Sequence, residues 1–463
     1  MTFPSALPHY HLSPNQLLPE GAVLLEAVNL IGGANDSGLA LDLSLQKRRG
    51  EYITLDLLVL PKRQESAQQE SRQVQIITDQ SQIPDEVTVV DGQTWFMGSS
   101  LVDLYSTSGE PGYESRETLH SLQQAARAGG FGLVGILPQT EPVLDDLGAL
   151  EFLVHHSPKN IHQNTHQGLH LKPWAALTNK AEGKQLNDLS ELAPHVLGFT
   201  DGQPLQNLLL VQRALDYLQP LGKPLMLFAQ DLHLLGDGVV RDGKWCVQYG
   251  YSGAPLGAET SALAALLEIV QPHHGTVHLM RISTARSVAL LRQAKAAGLP
   301  ITASVVWTHL CYCDQDLHTY DSSLRLMPPL GSAEDRAALV AGLKDGTIDA
   351  IAVDHTPYTY EEKAVPFDTA PVGAAGLEVA WAMLWQHLVT TGQLSPQQLW
   401  QGMTDGPLRC LGLTMQELNL TPILFVSNAS WQVNASHLHS LAANVPCWHQ
   451  ELKGKFLGLS VSV

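Results

Sequence analysis

"LVDLYSTSGEPGYESRETLHSLQQAARAGGFGLVGILPQ", residues 101–139, is the stretch on which the fold turns. An apolar run, LVDLYS, ends in a polar turn. A segment of helical period follows, closed by Gly129 and Gly130, and a second apolar run, FGLVGILPQ, opens at once. That is strand, helix and strand in succession. The alternation continues through "HVLGFTD", "LLLVQRALDYLQPLG", "PLMLFAQD", "GAETSALAALLEIV", "TVHLMRIS", "TARSVALLRQAKAAG", "ITASVVWTHL", "AEDRAALVAGLKDG" and "IDAIAVDHTP". Gly130, Gly222, Gly298 and Gly346 fall where a helix must turn back into a strand. So many units, with no glycine-rich phosphate fingerprint after any strand, predict an α/β fold of the closed (β/α)8 TIM-like barrel type rather than a doubly wound sheet.

The flanks have a different rhythm. Short alternating runs, "VLLEAVNLI", "YITLDLLVL", "QVQIITD" and "VTVVDG", precede the barrel, and "PILFVSN", "WQVNA" and "KGKFLGLSVSV" follow it. The expected division is 1–95 as the N-terminal part of a small β-sandwich, 96–415 as the barrel, and 416–463 as the C-terminal part of the same sandwich. Between them "HHSPKNIHQNTHQGLH", residues 155–170, is a polar, histidine-rich connection. Solvated loop histidines are its ordinary reading, with metal binding as the alternative.

Composition narrows the function classes. A chain of 463 residues that is 44% hydrophobic has ample material for a large core, which excludes disorder. Its 45 acidic against 27 basic side chains give a net charge of −18 and argue against nucleic acid or an anionic membrane as partner. Five cysteines, an odd and sparse set, suit a reducing compartment rather than a disulfide framework. No charged segment followed by an apolar one opens the chain, so a cytoplasmic protein is expected.

Motifs at the strand ends carry a resemblance. "VDLYSTSGEPGYESRETLHSLQQAARAGGFGLVGILPQTEPVLDD" resembles the dihydroorotase pattern D-x-H-x-H-x-R-E-P-G followed by A-x-G-G-F-T and M-P-N-T-x-P. "VDHTPYTYEEK" is similar to that family's D-H-A-P-H-x-x-E-E-K, and "FDTAPVGAAGLE" to its F-x-x-A-P-x-G-x-x-G-L-E. "GAPLGAETSA", "HLMRISTARSVALLRQAKAAG" and "LMPPLGSAEDRAAL" fit further segments in order. For an active member the resemblance implies a zinc-dependent, reversible closure of carbamoyl aspartate to dihydroorotate. Such chemistry needs a metal-bound hydroxide, a proton-passing aspartate and an arginine for the substrate carboxylate.

Position by position, the chemistry is missing. The two histidines of the first motif are Tyr105 and Thr107, and its arginine is Gly109. The next metal histidine aligns with Phe228 and the following one with Arg281, whose guanidinium repels a cation. His278 fills a neighbouring histidine slot and is expected to be a packed strand residue. The segment that supplies a bridging carboxylate is one residue short, "FTDG", which leaves the register of Asp201 open. Substrate positions hold Gln139, Met327, Gly331 and Tyr358. Asp354, beside His355, occupies the proton-shuttle position, where an aspartate also serves as a cap for backbone N–H groups. Turn-forming and packing residues are retained: Glu110, Pro111, Gly112, Gly130, Pro138, Pro328, Pro329, Pro371, Gly373 and Gly376.

The expectation is a dihydroorotase-like pseudoenzyme without a cofactor, a structural or regulatory chain of pyrimidine biosynthesis. The resemblance implies aspartate transcarbamoylase as partner, with a homo-oligomer as the further candidate. One competing reading is an active, zinc-dependent amidohydrolase whose site is rebuilt from Asp354, Asp201, His278, His355 and the loop histidines. Another is a metal-free metabolite-binding protein that uses Arg281 and Arg325 as anion anchors.

Overall fold

The computed structural model describes residues 23–30, 47–49, 52–59, 63–66, 69–71, 73–76, 87–156, 169–273, 275–418, 420–457 and 460–461. The middle of the histidine-rich connection, 157–168, lies outside the described residues.

Parallel strands form the centre. Leu101–Ser106 and Phe131–Ile136 are buried along their whole length. Such runs suit strands covered on both faces. They pair in a three-stranded sheet with His170–Pro173. Leu225–Phe228, Val277–Met280, Ile301–Val306 and Ala350–Ala352 make a four-stranded parallel sheet. Phe199, in the run HVLGFTD, bridges the two by isolated parallel contacts with Ala175 and Leu225. At the other edge Asp354 N–H donates to Tyr105 O at 3.1 Å and Thr107 N–H to His355 O at 2.8 Å, so the chain just after the last of these strands meets the first.

Helices pack outside these strands. Leu119–Ala128 starts at Thr118, whose hydroxyl accepts from Ser121 N–H in a capping box. Ala333–Asp345 starts the same way at Ser332. The four glycines expected to end helices all adopt positive φ, from 63° at Gly222 to 84° at Gly298. The run ITASVVWTHL differs from expectation. Its strand stops at Val306, and Trp307–Cys311 coils into a short buried helix.

Both flanks enter one nine-stranded sheet. Its order is Glu451–Leu457, Pro422–Gln432, Trp95–Ser99, Val23–Leu30, Tyr52–Val59, Gln73–Ile76 and Ser460–Val461, with Lys47–Arg49 and Thr88–Asp91 attached at its sides. The run PILFVSN and the first two residues of WQVNA, Trp431 and Gln432, belong to the single strand Pro422–Gln432. An aromatic cluster fastens this sheet to the helices: Trp385 meets Phe425 at 4.7 Å and Phe96 at 4.9 Å, and Trp381 meets Trp400 at 4.8 Å between ring centroids. A Cβ at Gly98 would sit 2.6 Å from the Trp400 ring, so only glycine lets strand and indole come this close.

Candidate functional site

The carboxyl ends of the parallel strands open into a cavity of about 410 Å³, walled by Tyr113, Phe228, Leu232, Leu326, Met327 and Tyr358, with Gln139, Arg281 and Asp354 among its polar groups. This is where a fold of this kind carries its chemistry.

Four residues of the first strand and its exit set the base. Asp103 is fully buried; its Oδ1 accepts from Val353 N–H at 2.7 Å and its Oδ2 from the Ser106 hydroxyl at 2.6 Å. Burial lifts its carboxyl to about 7, against the pull of those two bonds. Tyr105 is buried as well, its hydroxyl 3.0 Å from Ser304 Oγ and accepting Arg281 N–H at 3.2 Å. Burial raises that phenol, so it stays protonated. Thr107 donates its hydroxyl to His355 O at 3.0 Å. Gly109 has no room for any side chain: a Cβ there would lie 2.5 Å from Tyr113 O and closer still to Glu117 O.

Arg281 and Asp354 meet across the mouth. Arg281 Nη2 donates to Asp354 Oδ1 at 2.6 Å, Nε to Oδ2 at 2.8 Å, and Nη1 to Gly202 O at 2.9 Å. Burial works against the charged guanidinium, but the Asp354 carboxylate and its bonds hold the group above its ordinary pKa. The Phe228 ring lies 5.2 Å and the Tyr105 ring 5.7 Å from the guanidinium carbon. The expectation that Asp354 caps backbone N–H groups is therefore corrected. Both carboxylate oxygens go to Arg281, because its long side chain reaches them in bidentate geometry from the end of Val277–Met280, across the intervening strand Ile301–Val306.

The remaining positions are equally occupied. Asp201 turns to Thr178, accepting its N–H at 2.9 Å and its hydroxyl at 2.7 Å, and burial raises its carboxyl. Gln139 Nε2 donates to Asp201 O at 3.1 Å, while its buried Oε1 has no partner. His278 is a packed strand histidine, as expected: Nδ1 lies 2.9 Å from Thr302 Oγ1 and Nε2 2.8 Å from Ser304 Oγ. Burial, with Lys295 adding to it, lowers its imidazole to about 3. His355 accepts Gly376 N–H on Nδ1, which puts the ring proton on Nε2, facing Glu117 at 3.3 Å. Gly331 lies off the cavity, and a Cβ there would meet Asp335 Cβ at 2.8 Å. Arg325 is not among the residues that line this cavity, and Arg281 is already paired with Asp354.

Three groups escaped the sequence. Arg116 clamps Glu362 at 2.5, 2.9 and 3.1 Å and stacks on Tyr113 and Tyr358. Buried Glu117 accepts from the hydroxyls of Ser121 and Ser440, tying the C-terminal segment to the strand ends. Lys363 donates to the carbonyls of Ser322, Pro371 and Gly373 at 2.7 to 2.9 Å, and burial lowers its ammonium to about 7. The quoted motifs contain all three residues, but their partners are distant in sequence and no periodicity links them.

Zinc, which the resemblance implies for active members, does not fit this donor set. A protonated phenol, a hydroxyl spent on a carbonyl, a phenyl ring and a guanidinium stand where ligands would converge, and the guanidinium already neutralises the one central carboxylate. Among the described residues no three His, Cys, Asp or Glu side chains come together in a metal-binding group. What the arrangement offers is a pre-formed cavity lined by an internal ion pair.

No family model matches the chain. A probable dihydroorotase-like protein of Synechocystis is 43% identical over 407 residues, covering 82% of this chain and 92% of that protein. A dihydroorotase of Pelotomaculum thermopropionicum is 37% identical over 327 residues, covering 70% and 75%. Among solved structures, the L-hydantoinase (dihydropyrimidinase) of Arthrobacter aurescens superposes with a TM-score of 0.72 at 18% identity, covering 94% of this chain and 93% of that one. The inactive dihydroorotase-like domain of a Chaetomium thermophilum CAD-like multifunctional protein gives 0.54 at 17%, covering 80% and 97%. At such identities the solved structures speak for the fold alone.

Proposed function

The chain belongs to the dihydroorotase-like family of cyclic amidohydrolases, and we propose that within it this protein is a cytoplasmic pseudoenzyme, a structural or regulatory partner of aspartate transcarbamoylase. The observation that carries this reading is the Arg281–Asp354 ion pair, which spends the proton-shuttle carboxylate on a guanidinium at a former ligand position. A solved relative in fold described as inactive supports the idea that this scaffold is kept without turnover. The same reading takes the two parallel sheets as one closed (β/α)8 barrel and the shared flank sheet as a small sandwich, with the division at 1–95, 96–415 and 416–463. The Tyr105–Asp354 and Thr107–His355 backbone bonds support the closure.

The test is zinc content by elemental mass spectrometry of protein purified without chelator, an assay of dihydroorotate hydrolysis, and gel filtration with aspartate transcarbamoylase. Background zinc, no hydrolysis and co-elution are expected. Near-stoichiometric zinc with turnover would overturn the reading, and separate elution would remove the partner. The second reading, a working zinc-dependent dihydroorotase, is favoured by relatives of that name at 32% to 37% identity, and the same assay decides it.

A further inference from the structure

A second cavity, of about 550 Å³, lies at the amino ends of the strands, opposite the mouth that holds Asp354. It is walled by the strand His170–Pro173, the segment Pro194–Leu197, the approach Gly222–Pro224 to the next strand, and the turn at Leu411–Leu413. Among the described residues four basic side chains line it, His170, Lys172, His195 and Lys223, and no acidic one does. In a chain of net charge −18 this is an inversion of the local field.

The lysines are not neutralised where they stand. Among the described residues neither Lys172 nor Lys223 belongs to an ion pair. Lys223 gives one N–H to Val196 O at 2.7 Å, which leaves two donors. Glu417, the acid that senses Lys172, accepts the Thr414 hydroxyl and N–H at 2.8 and 2.7 Å and lies outside the cavity wall. Burial first, and then the charge of Lys172, push both Lys223 and His170 below their ordinary pKa values. Like charges are thus held together around a space large enough for a small molecule, an arrangement that an anion relieves.

We propose that this amino-end cavity is a binding site for a small polyanion, a molecule with two or more negative charges gripped by Lys172, on the strand His170–Pro173, and by Lys223, just before the strand Leu225–Phe228. Ammonium groups act as point charges with rotatable donors, so they suit phosphoryl and clustered carboxylate groups alike. The site is separate from the Arg281–Asp354 end and stands whether or not that end is catalytic.

Titration of the intact protein with sodium pyrophosphate by calorimetry and thermal shift, at fixed ionic strength, tests it. Saturable binding and a raised Tm are expected. Lys172→Gln should weaken binding about tenfold or more, the loss of one charged hydrogen bond, while the ligand-free Tm holds or rises because a like-charge contact is relieved. Lys223→Arg, which keeps the charge, should retain binding. Citrate in a parallel titration separates the sources: equal affinity marks clustered carboxylates as a sufficient ligand, and preference for pyrophosphate marks a phosphoryl group. Absence of saturable binding at millimolar pyrophosphate, or unchanged affinity in Lys172→Gln, would overturn the proposal.

Discussion

Arg281 seats its guanidinium on both carboxylate oxygens of Asp354, at 2.6 and 2.8 Å, and both residues hold left-handed backbone, with φ of 57° and 54°. Non-glycine residues adopt that conformation at a cost, so two of them facing each other at strand ends are held by the contact they make. The side chains are only 11% and 14% exposed, so each charge depends chiefly on the other.

Removing one partner should therefore hurt more than removing both. Arg281→Met leaves a buried carboxylate without its cation and is expected to cost about 3–5 kcal/mol. Arg281→Met with Asp354→Asn should recover much of that loss. Urea denaturation of the wild type, both single variants and the double variant gives the coupling; additive losses would show that the pair contributes nothing.

Restoring two histidines should not restore a metal centre. In Tyr105→His with Thr107→His, Phe228 still blocks one ligand position and the Arg281 cation another. Zinc content and dihydroorotate hydrolysis are expected to stay at background. Stoichiometric zinc in that variant would mean that Arg281 swings away from Asp354 at little cost.

Gly109→Arg should destabilise the protein rather than supply a substrate anchor. The loop has closed on this position, with Tyr113 O at 2.5 Å from the place of a Cβ. A loss of roughly 1–3 kcal/mol or more is expected from the overpacking, seen as a lower Tm and a poorer soluble yield. A variant as stable as the wild type would show that the loop between Gly109 and Glu117 opens readily.

Asp103 gives a pH signature. Its carboxyl stands near 7 in the folded chain against 3.8 as the ordinary value, because burial disfavours the charged form. The folded state thus holds a proton that the unfolded state has released, so this contribution to stability is complete below about pH 3.8 and is lost as pH rises through 7. Asp103→Asn removes the titration. Between pH 5 and 8 the wild type should lose stability relative to Asp103→Asn, and a constant difference across that window would place the Asp103 pKa elsewhere.

The alternation of apolar runs with helical segments, the glycines that turn helices back into strands and the paired flanks were legible in the sequence, because backbone periodicity and positive-φ demands are local properties. So was the absence of any imidazole or guanidinium at Tyr105, Thr107, Gly109 and Phe228, since a side chain's ability to bind a cation or an anion belongs to the residue itself. The tertiary structure alone decided which groups pair at the site. Arg281 and Asp354 are 73 residues apart, Arg116 and Glu362 are 246 apart, and Lys172 and Lys223 line one cavity from different parts of the chain. Coulombic and hydrogen-bonding partners are chosen by distance in space and by burial, and a one-dimensional pattern carries neither.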